Sequence, residues 1–141
     1  MTLQQIYQLA VKMGLKADLR GEKRVKKVLA KAKERYQKLD EAKKNEFDKE
    51  KLSNPYSDSR ILLETDKPIK KVLAGIDIAG AELFLADKLK VDLIISHHPL
   101  GKALAALDEV MHLQAEVLES YGVPINIAES LLKVRISEVS R

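Results

Sequence analysis

The chain has 141 residues, 45% hydrophobic and 33% charged, a balance expected of a globular chain forming one domain or one small domain with an appended segment. No apolar stretch reaches the roughly 18 residues of a membrane span, and the amino terminus lacks the order of a signal peptide, so a cytoplasmic protein with no membrane partner is expected. The absence of cysteine excludes disulfides, thiolate ligands and thiol nucleophiles, leaving nitrogen and oxygen donors for any metal.

The net charge of +4 is unevenly distributed. Residues 1–60 carry 16 basic against 9 acidic side chains, or +7, and residues 61–141 carry 9 against 12, or −3. In the basic part, Leu3, Ile6, Tyr7, Ala10, Val11 and Met13 follow helical spacing, and Gly14 is read as the cap that ends this first helix. A second helix is predicted from about Arg20–Glu22 to Asp40. Its apolar stripe is Val25, Val28, Leu29, Ala32, Tyr36 and Leu39, with Lys and Arg crowding the other faces. Phe47 and Leu52 suggest a further short helical turn before the loop Asn54-Pro55-Tyr56-Ser57-Asp58. Such a lysine-rich helix makes nucleic acid a candidate partner through phosphate neutralisation. Acidic residues interrupt the charge and no aromatic interleaving accompanies it, so a solvated amphipathic helix is the favoured reading.

From residue 60 the pattern becomes that of an α/β protein. Arg60–Glu64 reads as a short strand and Val72–Ile78 as an apolar strand of the buried type. A helix through Ala81, Leu83, Phe84, Ala86 and Leu89 follows, and then the strand Val91–Ser96. Strand, helix and strand within about 25 residues make a βαβ unit with parallel strands. Residues 103–120 read as a helix, Tyr121-Gly122 as its stop, Val123–Ala128 as a third strand with proline near its start, and Glu129–Ser140 as a last helix. His112 falls on the flank of the helix at 103–120. The domain boundary is expected near residue 53, between a basic helical segment (1–53) and an α/β metal-binding domain (54–141).

The candidate chemistry lies in His97-His98-Pro99, at the carboxyl end of the second strand. In open α/β sheets ligands bind outside the carboxyl ends of the strands, and imidazole suits several divalent metals. Adjacent residues of an extended strand point to opposite faces, so both histidines can meet one site only if the chain turns, and Pro99 favours that turn.

These blocks carry a resemblance. Leu73-Ala74-Gly75-Ile76-Asp77, a helix, and Asp92-Leu93-Ile94-Ile95-Ser96-His97-His98-Pro99-Leu100 resemble the NGG-interacting factor three family of dinuclear-metal proteins, also described as type 2 GTP cyclohydrolase I-like. The likeness continues through Val110–Gln114 and Gly122–Glu129, and Asn54–Asp58 resembles a longer subgroup with a helical extension. The resemblance implies two divalent metals per site, with His97 and His98 as ligands and Asp77 as a residue that orients a ligand or water. Zinc, manganese, iron, nickel and cobalt all suit such donors. It further implies hydrolytic chemistry and a homo-oligomer. The family's further aspartate and its His-x-x-x-Glu pair do not occur here, so the chain is expected to represent the amino-terminal half of a larger family fold. Glu129 is the acidic residue best placed as a substitute ligand, with a helix-start carboxylate as its bland alternative.

Two functions remain open at this point. One is a metal-dependent hydrolase of unknown substrate. The other is a non-enzymatic oligomeric binding or regulatory protein with a basic helical arm. No GxxxxGK[ST], GxGxxG or GxSxG motif narrows the substrate.

Overall fold

The computed structural model describes residues 1–105 and 107–139. Four helical pieces precede the sheet: α1 (Leu3–Ala17), α2 (Glu22–Gln37), the short α3 (Glu41–Glu46) and a 3₁₀ turn at Lys49–Leu52. The α/β part follows as β1 (Val72–Gly75), α4 (Gly80–Leu89), β2 (Leu93–Ser96), α5 (Gly101–Ala105), α6 (Leu107–Ser120) and α7 (Ile125–Val139). The predicted α/β class with a helical amino-terminal segment is therefore present. Ala106 and Ser140, which the expected helices include, lie outside the described residues.

Local chemistry explains most boundaries. Thr2 and Gln5 form a capping box on α1, the Gln5 amide donating to the Thr2 hydroxyl at 3.2 Å and the Thr2 amide to the Gln5 carbonyl at 2.9 Å. Asp40 caps α3 by accepting from the Lys43 amide. The helix α4 ends in a Schellman motif: Lys90 sits at φ 52°, its amide donates to Asp87, and the Val91 amide donates to Ala86. The same motif closes α6, with Gly122 at φ 93° and the Val123 amide donating to Leu118. Glycine suits this left-handed position better than lysine does.

β1 and β2 pair in parallel, with Val72, Leu73, Ala74 and Gly75 opposite Leu93, Ile94, Ile95 and Ser96. Asp92 sets this register. Its carboxylate accepts from the Lys70 and Lys71 amides, both at 2.8 Å, while its own amide donates to the Lys71 carbonyl. These backbone bonds hold the Asp92 carboxyl below its ordinary range. The buried apolar residues lie where the helices meet: Val25 on α2, Ala103 on α5, Met111 and Ala115 on α6, and Ala128 on α7.

Four expectations are corrected. Gly14 does not end α1, which runs on to Ala17. A Cβ there would lie 3.0 Å from the Tyr56 ring, so the glycine serves a close approach between helix and loop. Arg60–Glu64 forms no strand, and the Arg60 side chain is instead buried in ion pairs with Asp48 and Glu50. Val123–Ala128 is no strand either. Its alternation coincides with the helical row Ala128, Leu132, Ile136, and the Pro124 carbonyl accepts from the Ile127 and Ala128 amides as α7 begins. Finally, the strands are not buried on both faces, since Val72 and Ile95 are each 44% exposed. A sheet of two strands has too few neighbours among the described residues to cover them.

The amino-terminal helices are fastened to α6 through charge. Arg20 lies between Asp18 and Glu116, with its Nη2 2.9 Å from Asp18 Oδ2 and its Nη1 2.6 Å from Glu116 Oε2; the Arg20 and Asp18 side chains are each 3% exposed. Tyr56 donates to the same Asp18 carboxylate at 2.9 Å. Burial pushes the Asp18 carboxyl up, but hydrogen bonds from Arg20 and Tyr56 outweigh it and hold the group below its usual value. Burial and this carboxylate push the Tyr56 phenol up to about 12. Along the same helix Arg24 pairs with Glu119, and Glu109 accepts from Lys51 and Ser57. A second tie joins the two parts: the Ile69 amide donates to the Met1 carbonyl at 2.8 Å, beside the buried Leu3 and Ile69 side chains.

Breaking a buried pair strands its partner charge, so Arg20→Ala should lower stability by about 3–5 kcal/mol in urea unfolding. Arg24→Ala, which removes a partly exposed pair, should cost under about 1 kcal/mol. A depressed folded pKa stabilises above the unfolded carboxylate value and is lost as pH falls through the folded one. Stability should therefore decline between about pH 5 and pH 2, with a flatter acid limb in Asp18→Asn. Equal losses for Arg20→Ala and Arg24→Ala would refute the assignment.

Candidate functional site

The histidines are placed by the β1–β2 ladder. Pairing continues past the last residues of both strands: the His97 amide donates to the Gly75 carbonyl and the His98 amide to the Ile76 carbonyl, both at 2.9 Å. Both histidine backbones are thus anchored to the neighbouring chain rather than hanging in a free loop. The Ser96 hydroxyl donates to the His98 carbonyl at 2.8 Å, which tightens the bend after β2. The two rings end up close, with centroids 5.4 Å apart and planes inclined by 32°. This is the juxtaposition that strict strand alternation would forbid.

Asp77 reaches this pair from the other strand. Its Oδ1 lies 2.7 Å from His98 Nδ1. With a carboxylate accepting there, the neutral ring carries its proton on Nδ1 and keeps its lone pair on Nε2. Both side chains are well exposed, 57% for His98 and 80% for Asp77, so the contact orients the ring more than it stabilises the fold.

The other sequence candidate stands apart. Glu129 lies in the second turn of α7, exposed to solvent, whereas the helix itself begins at Ile125. It is therefore not a helix-start carboxylate. Among the described residues, no group of three or more His, Asp or Glu side chains gathers closely enough to hold a metal ion. The donors at the strand ends match a divalent cation in kind, nitrogen and oxygen, but not in number, since a bound metal takes about four ligands.

Two openings lie elsewhere. One of about 310 Å³ sits between α2, the Asn54–Asp58 loop and α6. Another of about 410 Å³ lies between α1 and α6. Of the charged groups that line the first, Arg20, Lys51, Glu109 and Glu116 are already paired with one another or with Asp18 and Ser57, and Asp58 accepts from the Ser59 hydroxyl. His112 lines it too, from the exposed flank of α6. Asn54, a prominent residue of the loop motif, is 2% exposed and donates to Tyr7 and to the Ser59 carbonyl while accepting from the Tyr56 amide, so its role is to hold the loop. The Asp18–Arg20–Glu116 network was not singled out from sequence. Its partners are up to 96 residues apart, and no local spacing signals them.

No protein-family model and no curated protein matches this chain. Among solved structures, it is similar to a NIF3 superfamily protein from Sphaerobacter thermophilus, at 36% identity over 50% of this chain and 26% of that one, with a TM-score of 0.48. This chain thus spans about a quarter of that protein's length in the match.

The His98–Asp77 contact has a spectroscopic consequence. Long-range ¹H–¹⁵N correlation at alkaline pH should show His98 in the Nδ1–H tautomer, and Asp77→Ala should return it towards the Nε2–H form usual for free imidazole. A His98 tautomer indifferent to Asp77→Ala would remove the orienting role.

Proposed function

We propose that this chain, similar over half its length to a NIF3 superfamily protein, contributes a two-histidine share of a divalent-metal centre. In this reading His97 and His98 are ligands and Asp77 is the residue that orients His98. The observation that carries it is the pair of rings held side by side on anchored backbone, with a carboxylate on Nδ1 of one of them, so that Nε2 is the nitrogen left with the lone pair. A ligating histidine ordinarily has such a partner on its other ring nitrogen.

The remaining ligands come from outside the described residues, because no third donor converges within them. Zinc, manganese, iron, nickel and cobalt all accept imidazole and carboxylate. Hydrolysis is the reaction class that this reading carries, and no residue here selects a phosphoester, an amide or a purine ring as substrate. The homo-oligomer implied by the resemblance belongs to the same proposal.

A second reading, a non-enzymatic binding or regulatory protein, is favoured by the small donor set and by the cavities' distance in composition from the histidines: neither opening is lined by His97, His98 or Asp77.

Isothermal titration of the chain with Co²⁺ and Zn²⁺ separates the two. Saturable binding should weaken at least tenfold in His97→Ala/His98→Ala, and about 10–100-fold in Asp77→Asn. Affinity unchanged in the double variant would overturn the metal reading and leave the binding-protein reading standing.

A further inference from the structure

The solvent-exposed side of α2 carries a row of regularly spaced cations. Lys23, Lys27, Lys31 and Arg35 recur at every fourth residue, and all four are exposed. At 1.5 Å of rise per residue the row climbs about 6 Å per step and about 18 Å in all. Among the described residues no carboxylate lies within ion-pair distance of any of the four. The helix has only two acidic residues, and both are engaged by other lysines: Glu22 by Lys26 and Glu34 by Lys38, each at 2.6 Å. Other cations of this region are engaged inside the fold, Arg20 and Arg24 with α6 and Lys51 with Glu109, and Lys33 adds a further exposed charge on the same helix.

Like charges four apart on a helix destabilise it by about as much as an opposite pair would stabilise it. The row contains three such contacts in succession and α2 has nothing set against them, which is unfavourable for the isolated chain. An external polyanion relieves that repulsion. The helix cannot meet a membrane as an amphipathic interfacial helix does, because its apolar stripe faces inward, with Val25 only 3% exposed. A partner with charges at regular intervals fits better than a fluctuating acidic peptide, since the row is regularly spaced along the helix.

We infer that the Lys23–Lys27–Lys31–Arg35 row is a docking surface for the phosphate backbone of duplex nucleic acid, read without base sequence. This rests on the geometry of α2 and is independent of the metal proposal. Four phosphate contacts give a salt slope of about −3.6 in log K against log salt.

The test is fluorescence anisotropy of the whole chain with a labelled mixed-sequence DNA duplex, across a series of salt concentrations. Two variants with equal loss of charge are compared, Lys23→Gln/Lys27→Gln/Lys31→Gln/Arg35→Gln and the control Lys12→Gln/Lys67→Gln/Lys88→Gln/Lys133→Gln. The row variant should lose at least tenfold in affinity and most of its salt slope, the control no more than about threefold. The row variant should also melt at a higher temperature than the parent, because removing the charges relieves α2 of its repulsion; this reads folding and repulsion together. Equal losses in both variants would reduce the effect to net charge and overturn the proposal. So would absence of duplex binding, or row-dependent binding to phosphatidylserine vesicles in its place.

Discussion

Asp92 accepts hydrogen bonds from two consecutive amides, those of Lys70 and Lys71, just where the two parallel strands begin. Through them it decides which residue of β2 lies opposite which residue of β1. A slip by one residue would turn every side chain of β2 to the other face. It would also move His97 and His98 off the carbonyls of Gly75 and Ile76, and His98 away from Asp77. The candidate chemistry is therefore a consequence of register, and register is set five residues upstream of the first histidine by a side chain that touches neither ring.

The two parts of the chain solve different physical problems. The helical segment has a surplus of positive charge and the rest a deficit, and the seam between them uses both. Arg20, Arg24 and Lys51 reach three glutamates of α6, while Asp18 and Tyr56 complete the environment of the buried guanidinium. Part of the positive charge of the basic segment is neutralised across the seam, while the outer row of α2 takes no part in it. The α/β part has the opposite difficulty. Its two strands leave apolar side chains such as Ile76, Leu83 and Phe84 in solvent, each more than half exposed. Three or more strands, or a covering layer, are the usual way such faces are buried.

The candidate site inherits this openness. Asp77 and His98 meet in solvent, where a single hydrogen bond adds little to folding but still selects a tautomer. Within the described residues Asp77 orients His98, and no third donor gathers beside the pair.

Much of this was legible in the residues. The parallel βαβ unit, the helices around it and the histidines at the strand end follow from apolar runs and from where function sits in parallel sheets, whereas Asp77 entered only through the family resemblance. The places where pattern misled are those with two consistent local readings. Val123–Ala128 alternates like a strand, yet Ala128 belongs to a helical row that packs against α6; Gly14 looks like a stop, yet it makes room for Tyr56. Short-range periodicity determined the class of fold and the candidate ligands, because hydrophobic spacing and turn chemistry act between near neighbours. Only the tertiary structure decided that Arg20 is buried between Asp18 and Glu116, that the strands stay half open and that Glu129 stands apart, because those outcomes depend on contacts between residues tens of positions apart.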